Sequence, residues 1–236
     1  MNAFIRDLSA TAEFCLITFL CFGLQTVSAV LAVARHWKRA VPRHVQFGNA
    51  GVARVVMLEL LCLPAALWIG SVRGWTVATF GLHISWRGTA TGVLLFAALL
   101  AGAALFGAVL KALHVEVAGS FFLKGTTLPY VLLLSIVNPL YEEVILSGYF
   151  IHALQHLGMW PAVLASALFT SFLHAYLVLQ SVTLVLFTRI AVGLAYWRGR
   201  QLWPLIVAHS LADLFALLYR QPSGAVSSGT SEPSAV

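Results

Sequence analysis

The chain has 236 residues, 60% of them hydrophobic and only 9% charged, with a net charge of +6. Soluble domains carry about 25% charged residues, so the composition excludes an ordinary soluble domain and points to a polytopic membrane protein. Long continuous apolar runs exclude a transmembrane β-barrel, whose segments are short and alternating, and basic residues placed between those runs set topology and meet anionic headgroups rather than nucleic acid.

The length holds about seven spans of roughly 20 residues, so the expected fold is all-α: one helical transmembrane bundle over 1–220. The first span covers about 10–34. Ala32-Val33-Ala34 resembles a signal-peptide cleavage site, but the run is long and Arg35, Lys38, Arg39 and Arg43 follow directly. That pattern suits a retained span with the basic loop in the cytoplasm. Glu13, near its membrane end, is expected to snorkel. Span two, 51–72, carries Glu59 near its middle. There it either supports a site or makes a helix-to-helix hydrogen bond. Residues 73–87, with Trp75 and Trp86, read as an interfacial connection.

Span three, 89–113, is rich in Ala, Gly and Leu, which permits close helix approach. Residues 114–127 read as a loop. Span four, 128–157, exceeds one bilayer crossing and contains Pro139, which frees a backbone carbonyl one turn earlier. His152 and His156, late in this span, lie over two turns from Glu142 and read as interfacial. Spans five (161–179) and six (182–197) lead to the basic turn Arg198-Gly199-Arg200, and span seven covers 202–218. The Ser/Gly/Pro-rich tail 221–236 is expected to be disordered. Cys15, Cys21 and Cys62 have neither zinc nor disulfide-framework spacing and read as small buried hydrophobes.

Glu142 and Glu143 stand side by side in span four, in a chain with eight acidic residues in all. A charged carboxylate at bilayer depth costs at least about 2.5–3.5 kcal/mol, and intramembrane ionisable residues mark functional sites by default. Neighbours on a helix point about 100° apart, so the two must face different partners. Other apolar segments offer His174, one turn after Ser171, and the i, i+4 pair His209 and Asp213. Each feature has a purely structural alternative: a polar clasp of the glutamates with Arg189, a satisfied buried His174, a common helical His–Asp pairing. Brought together from three helices, they form a constellation for acid–base chemistry on water.

Here the sequence resembles the CPBP family, the CAAX prenyl protease 2 and bacteriocin-processing group. Pro139-Leu140-Tyr141-Glu142-Glu143-Val144-Ile145-Leu146-Ser147-Gly148 is similar to its first motif, EExxxR. His174 matches the second, FxxxH. His209 and Asp213 match the third, HxxxN or HxxxD. Residues 193–203 resemble the approach to that third motif, and Phe80-Gly81-Leu82 a short earlier one, so the resemblance covers about 73–218. It implies a glutamic-type intramembrane endopeptidase. Glu142 would act as general base with Glu143 beside it, His174 assisting, and His209 with Asp213 stabilising the oxyanion. Because an ionised aspartate cannot donate a hydrogen bond, Asp213 is expected to orient His209, which then donates.

Two departures stand out. Ser147 replaces the motif arginine, and Thr170 replaces the aromatic before His174, with Phe169 one place off. Arg189, on span six, is expected to supply the missing cation from another helix. No cofactor is expected; a zinc site of Glu142, His174 and His209 is the competing chemistry. Partners would be membrane lipids and a membrane-presented peptide or protein, with no nucleic acid, in a multi-pass protein expected in a bacterial inner membrane. Two rival functions remain: a non-catalytic scaffold or immunity-type protein, favoured by Ser147, and a proton- or ion-coupled transporter, which would show repeats that this chain lacks.

Overall fold

The computed structural model describes residues 8–36, 45–115, 121–123, 126–175, 177 and 179–219. Lys38, Arg39, Arg43 and the tail 221–236 lie outside the described residues. In chain order the elements are α1 (Ala10–His36), β1 (Val45–Phe47), α2 (Asn49–Val72), α3 (Trp86–Ala112), β2 (Phe121–Leu123) and α4 (Leu128–Glu142). A π-helical segment (Glu143–Tyr149), α5 (Phe150–Leu154) and a 3-10 turn (Gln155–Leu157) continue the α4 rod. Helices α6 (Met159–Leu173), α7 (Leu179–Gly199) and α8 (Trp203–Tyr219) complete the bundle.

The described residues therefore form seven helical rods. Four stretches, Ala10–Ala34, Asn49–Val72, Trp86–Ala112 and Leu128–Leu157, are long and apolar enough to cross a membrane, while Met159–Leu173 and Trp203–Leu218 are apolar but shorter. Helix α7 has the length, but Gln180, Ser181, Thr183, Thr188 and Arg189 dilute its apolar character. Large apolar side chains such as Phe19, Leu61, Leu94 and Leu105 are exposed on outer faces, as contact with lipid requires. Within the stretch read as a loop, 114–127, β2 pairs in parallel with β1, Val45 opposite Phe121.

Two apolar clusters hold the rods together. The larger one joins α1, the π segment, α6, α7 and the start of α8, through residues such as Ile17, Val144, Leu146, Val163, Tyr196 and Leu202. The smaller one, Val52, Val56, Val131 and Leu217, is a contact of α2, α4 and α8. Asn49 Oδ1 accepts the Thr127 backbone N–H at 2.9 Å, which sets the starts of α2 and α4 side by side.

Glycines act at two close approaches. Gly81 has φ +74, and a Cβ there would lie 1.8 Å from the Arg200 carbonyl oxygen. Its own carbonyl accepts the Leu202 N–H at 3.1 Å, and Tyr196 donates its hydroxyl to the Phe80 carbonyl at 3.1 Å. The Phe80-Gly81-Leu82 segment thus anchors the 200–202 turn that launches α8. Gly92 lets α3 lie against α8: a Cβ there would meet Val207 Cβ at 2.6 Å.

Three expectations are corrected here. Glu13 does not snorkel: it is buried, with Arg73 Nε 2.8 Å away and the same guanidinium bound to the Leu8 carbonyl. Burial is tolerable because the two opposite charges meet. Cys15 is exposed, whereas Cys21 is buried and Cys62 half-buried. Trp75 is not a simple interfacial anchor: it packs on Tyr149, Phe80 and His152, with ring centroids 5.2, 6.1 and 5.1 Å away, while Trp86 is exposed.

Candidate active site

The site begins where α4 loses its regular turn. Pro139 lacks an N–H and leaves the Ser135 carbonyl without a helical donor. The change of geometry comes later, however, at Glu143–Tyr149, where seven buried residues adopt the π form. A π turn closes i→i+5 bonds and inserts an extra residue, and such turns occur mostly at functional sites. Ser166, on α6, donates its hydroxyl to the Leu146 carbonyl at 2.7 Å, which ties the widened turn to its neighbour.

Glu143 is 0% exposed. Ser147 donates to its Oε2 at 2.5 Å, His209 Nδ1 to its Oε1 at 2.8 Å, and Arg189 Nη1 to that same Oε1. Arg189, at 7% exposure, pairs with Glu143 from α7; its Nη2 has no hydrogen-bond partner among the described residues. Both oxygens of Glu143 are thus held by donors from three segments. Such charge-assisted bonds are short and strong, and a buried carboxylate is stable only when so satisfied.

Glu142 points elsewhere. It is half-buried and lies within electrostatic reach of Glu59, His209 and Asp213. His209 is gripped on both edges: Nδ1 by Glu143, and Nε2 toward Asp213 Oδ1 at 3.6 Å. Asp213 accepts a long bond from Asn138 Nδ2 at 3.4 Å. Asp213 is thus joined by Glu143 in facing His209, and the contact to Glu143 is the closer one.

His174 caps the end of α6, not its middle. Its Nδ1 lies 2.9 Å from the Thr170 carbonyl. A carbonyl only accepts, so Nδ1 carries the hydrogen and Nε2 the lone pair of the neutral ring. Asp213 lies within its electrostatic reach. Thr170 is fully buried, donating to the Ser166 carbonyl at 2.8 Å. Phe169 instead takes up aromatic packing, stacked on Phe150 and edge-on to Phe22.

The structure therefore brings Glu143, Ser147, Arg189, His209 and Asp213 into one chain of contacts, with Glu142, His174 and Glu59 around it. His152 stands apart, edge-on between Trp75 and Phe80, and His156 is exposed and turned to the Ala153 carbonyl. Among the described residues no three His, Cys, Asp or Glu side chains are arranged to hold a metal ion. Asn138 was missed by sequence reasoning. Its spacing was a signal, since one turn before Glu142 it shares that residue's side of α4.

Residues 124–215 match the family model of the type II CAAX prenyl endopeptidases, Rce1-like. This segment of the chain is similar to that family. The Rce1-like segment contains all three motifs, from Glu142 to Asp213, and is narrower than the 73–218 anticipated from sequence. It supports a CAAX protease-like enzyme within a multi-pass helical membrane protein. Glu13, Glu59 and the Phe80-Gly81-Leu82 anchor lie outside the Rce1-like segment. No curated protein and no solved structure matches the chain.

Proposed function

We propose that the chain is an intramembrane endopeptidase that hydrolyses a peptide bond of a membrane-presented substrate with a hydrophobic or lipidated C-terminal segment. The observation that carries this reading is the division of labour between adjacent glutamates. Glu143 is closed off by Ser147, Arg189 and His209, whereas Glu142 is half-exposed within electrostatic reach of His209 and Asp213. A carboxylate saturated with donors is a poor base; one turned toward an opening can hold water.

In this mechanism Glu142 takes a proton from water as the water oxygen attacks the scissile carbonyl carbon. His174, its lone pair on Nε2, helps to hold the water. His209, doubly protonated between Glu143 and Asp213, turns Nε2–H toward the tetrahedral oxyanion. The C–N bond then breaks, and the departing amine takes the proton from Glu142. Glu143 and Arg189 fix His209 without touching substrate. One donor aimed at an oxyanion in a dry site contributes about 3–4 kcal/mol.

The test is peptide cleavage by the purified, reconstituted protein against a library of hydrophobic C-terminal segments, with and without a zinc chelator. Glu142→Gln is expected to lower kcat at least about a hundredfold, and His209→Ala by about 10²–10³, with the folds intact. Loss on chelation and recovery with zinc would replace the glutamate-activated water with metal chemistry. Equal, negligible cleavage by the wild type and both variants would assign a scaffold, with Ser147 the departure that accompanies it.

A further inference from the structure

Glu59 lies on α2, outside the Rce1-like segment, yet it belongs to the same polar interior. It is 3% exposed, and its Oε2 has no hydrogen-bond partner among the described residues. Leaving such an atom dry is costly. Its surroundings are acidic or neutral more than basic: Tyr141 and Glu142 from α4, His209 and Asp213 from α8, and Cys62 on its own helix. Helix α1 brings Cys21, whose carbonyl is occupied by the Tyr141 hydroxyl at 2.5 Å.

The register of two parallel helices explains the placement. Asn49 and Thr127 are bonded at the starts of α2 and α4. Glu59 comes ten residues after Asn49, and residue 137 comes ten after Thr127, so at ~1.5 Å per residue both stand about 15 Å along. Glu59 is therefore level with the turn Ser135–Asn138, one to two turns short of Glu142. Ser135 is also 3% exposed, with its Oγ lacking a hydrogen-bond partner among the described residues. Ser135, Asn138 and Glu142 share a helix face at i, i+3 and i+7. Toward the helix starts this polar patch is closed by the dry cluster Val52, Val56, Val131 and Leu217. Toward the helix ends it meets Glu142 and His209. Polar atoms that the protein leaves open in such a patch are sites for bound water.

We propose that Glu59 is the proton store of the site, a fourth acid beside Glu142, Glu143 and Asp213, which exchanges one proton with Glu142 during each hydrolysis. This rests on the endopeptidase reading. In the attack, the water oxygen bonds to the carbonyl carbon and its proton goes to Glu142. That proton passes through water at Ser135 to the ionised Glu59 carboxylate, which becomes the carboxylic acid as Glu142 returns to the carboxylate. It returns through Glu142 to the amine nitrogen when the C–N bond breaks, so the pair gains and loses nothing over the cycle. Glu59 does not touch substrate; it acts through Glu142.

Infrared pH titration of the carboxyl bands tests the pair without needing a substrate. Wild type, Glu59→Gln, Glu142→Gln and the double variant are compared in reconstituted, folded form. Groups coupled by about one pK unit or more titrate in shared steps. The wild-type curve should therefore differ from the sum of the two single-carboxyl curves. If Glu59→Gln does not fold, the change in the Glu59 band caused by Glu142→Gln reports the same coupling. In the cleavage assay Glu59→Gln should lower kcat about tenfold with KM unchanged and alter the form of the pH–rate profile, and Glu59→Asp should restore most of it. Additive titration curves would overturn the proposal, as would coupled curves with an unchanged kcat and pH profile. A wild type that cleaves nothing but keeps the coupling would sink the endopeptidase reading while leaving the Glu59–Glu142 pair in place.

Discussion

Replacing Arg189 with Met removes the guanidinium bonded to Glu143 at a site where neither partner is solvated, with exposures of 7% and 0%. Breaking a buried ion pair from one side costs about 3–5 kcal/mol, mostly because the remaining charge is left uncompensated. Ser147 and His209 still donate to the carboxylate, which holds the loss near 3 kcal/mol. For a chain of this size each kcal/mol displaces Tm by about 2–4 °C, giving a fall of about 6–12 °C. Thermal unfolding in mild detergent reads this directly. Adding Glu143→Gln to Arg189→Met removes both charges and should recover most of the loss, since neutralising a buried pair together is often harmless. In an Arg189→Ala background, Ser147→Arg should also recover stability, because position 147 already reaches Oε2 of the same carboxylate. Arg189→Met unfolding within about 1 °C of wild type, with cleavage unchanged, would refute the argument that Glu143 depends on Arg189.

Two further perturbations probe the scaffold. Gly81→Ala should cost more than about 1–3 kcal/mol, the usual strain of a residue forced to positive φ, because the new Cβ also meets the Arg200 carbonyl oxygen. Thermal unfolding should fall, and with it cleavage, as the start of α8 moves His209. Ser166→Ala should cost about 1–3 kcal/mol by leaving the buried Leu146 carbonyl without its donor, and amide hydrogen exchange should rise across 143–149 before it rises elsewhere.

Much of the fold was legible because a membrane imposes its own period. Runs of about 20 apolar residues can be read without an alignment, and four of the expected spans have matching helices of full length. What escaped reading was the interior of those runs. Pro139 marked an irregularity in span four, but the π turn came four residues later, where Glu143, Ser147 and the Ser166–Leu146 bond hold it open. Glu13 was misjudged because its partner, Arg73, is sixty residues away in sequence and adjacent only after folding. Of the candidate site, the residues on one helix were visible as spacings: Glu142 with Glu143, and His209 with Asp213.

The sequence by itself determined which groups must be buried together, because acids and histidines within apolar helices have nowhere else to find partners. Only the tertiary structure decided which glutamate is enclosed and which is open. That choice depends on the angular offset of a π turn and on donors arriving from α7 and α8. Neither is encoded locally, since adjacent residues of one type differ only in the neighbours that packing brings to them.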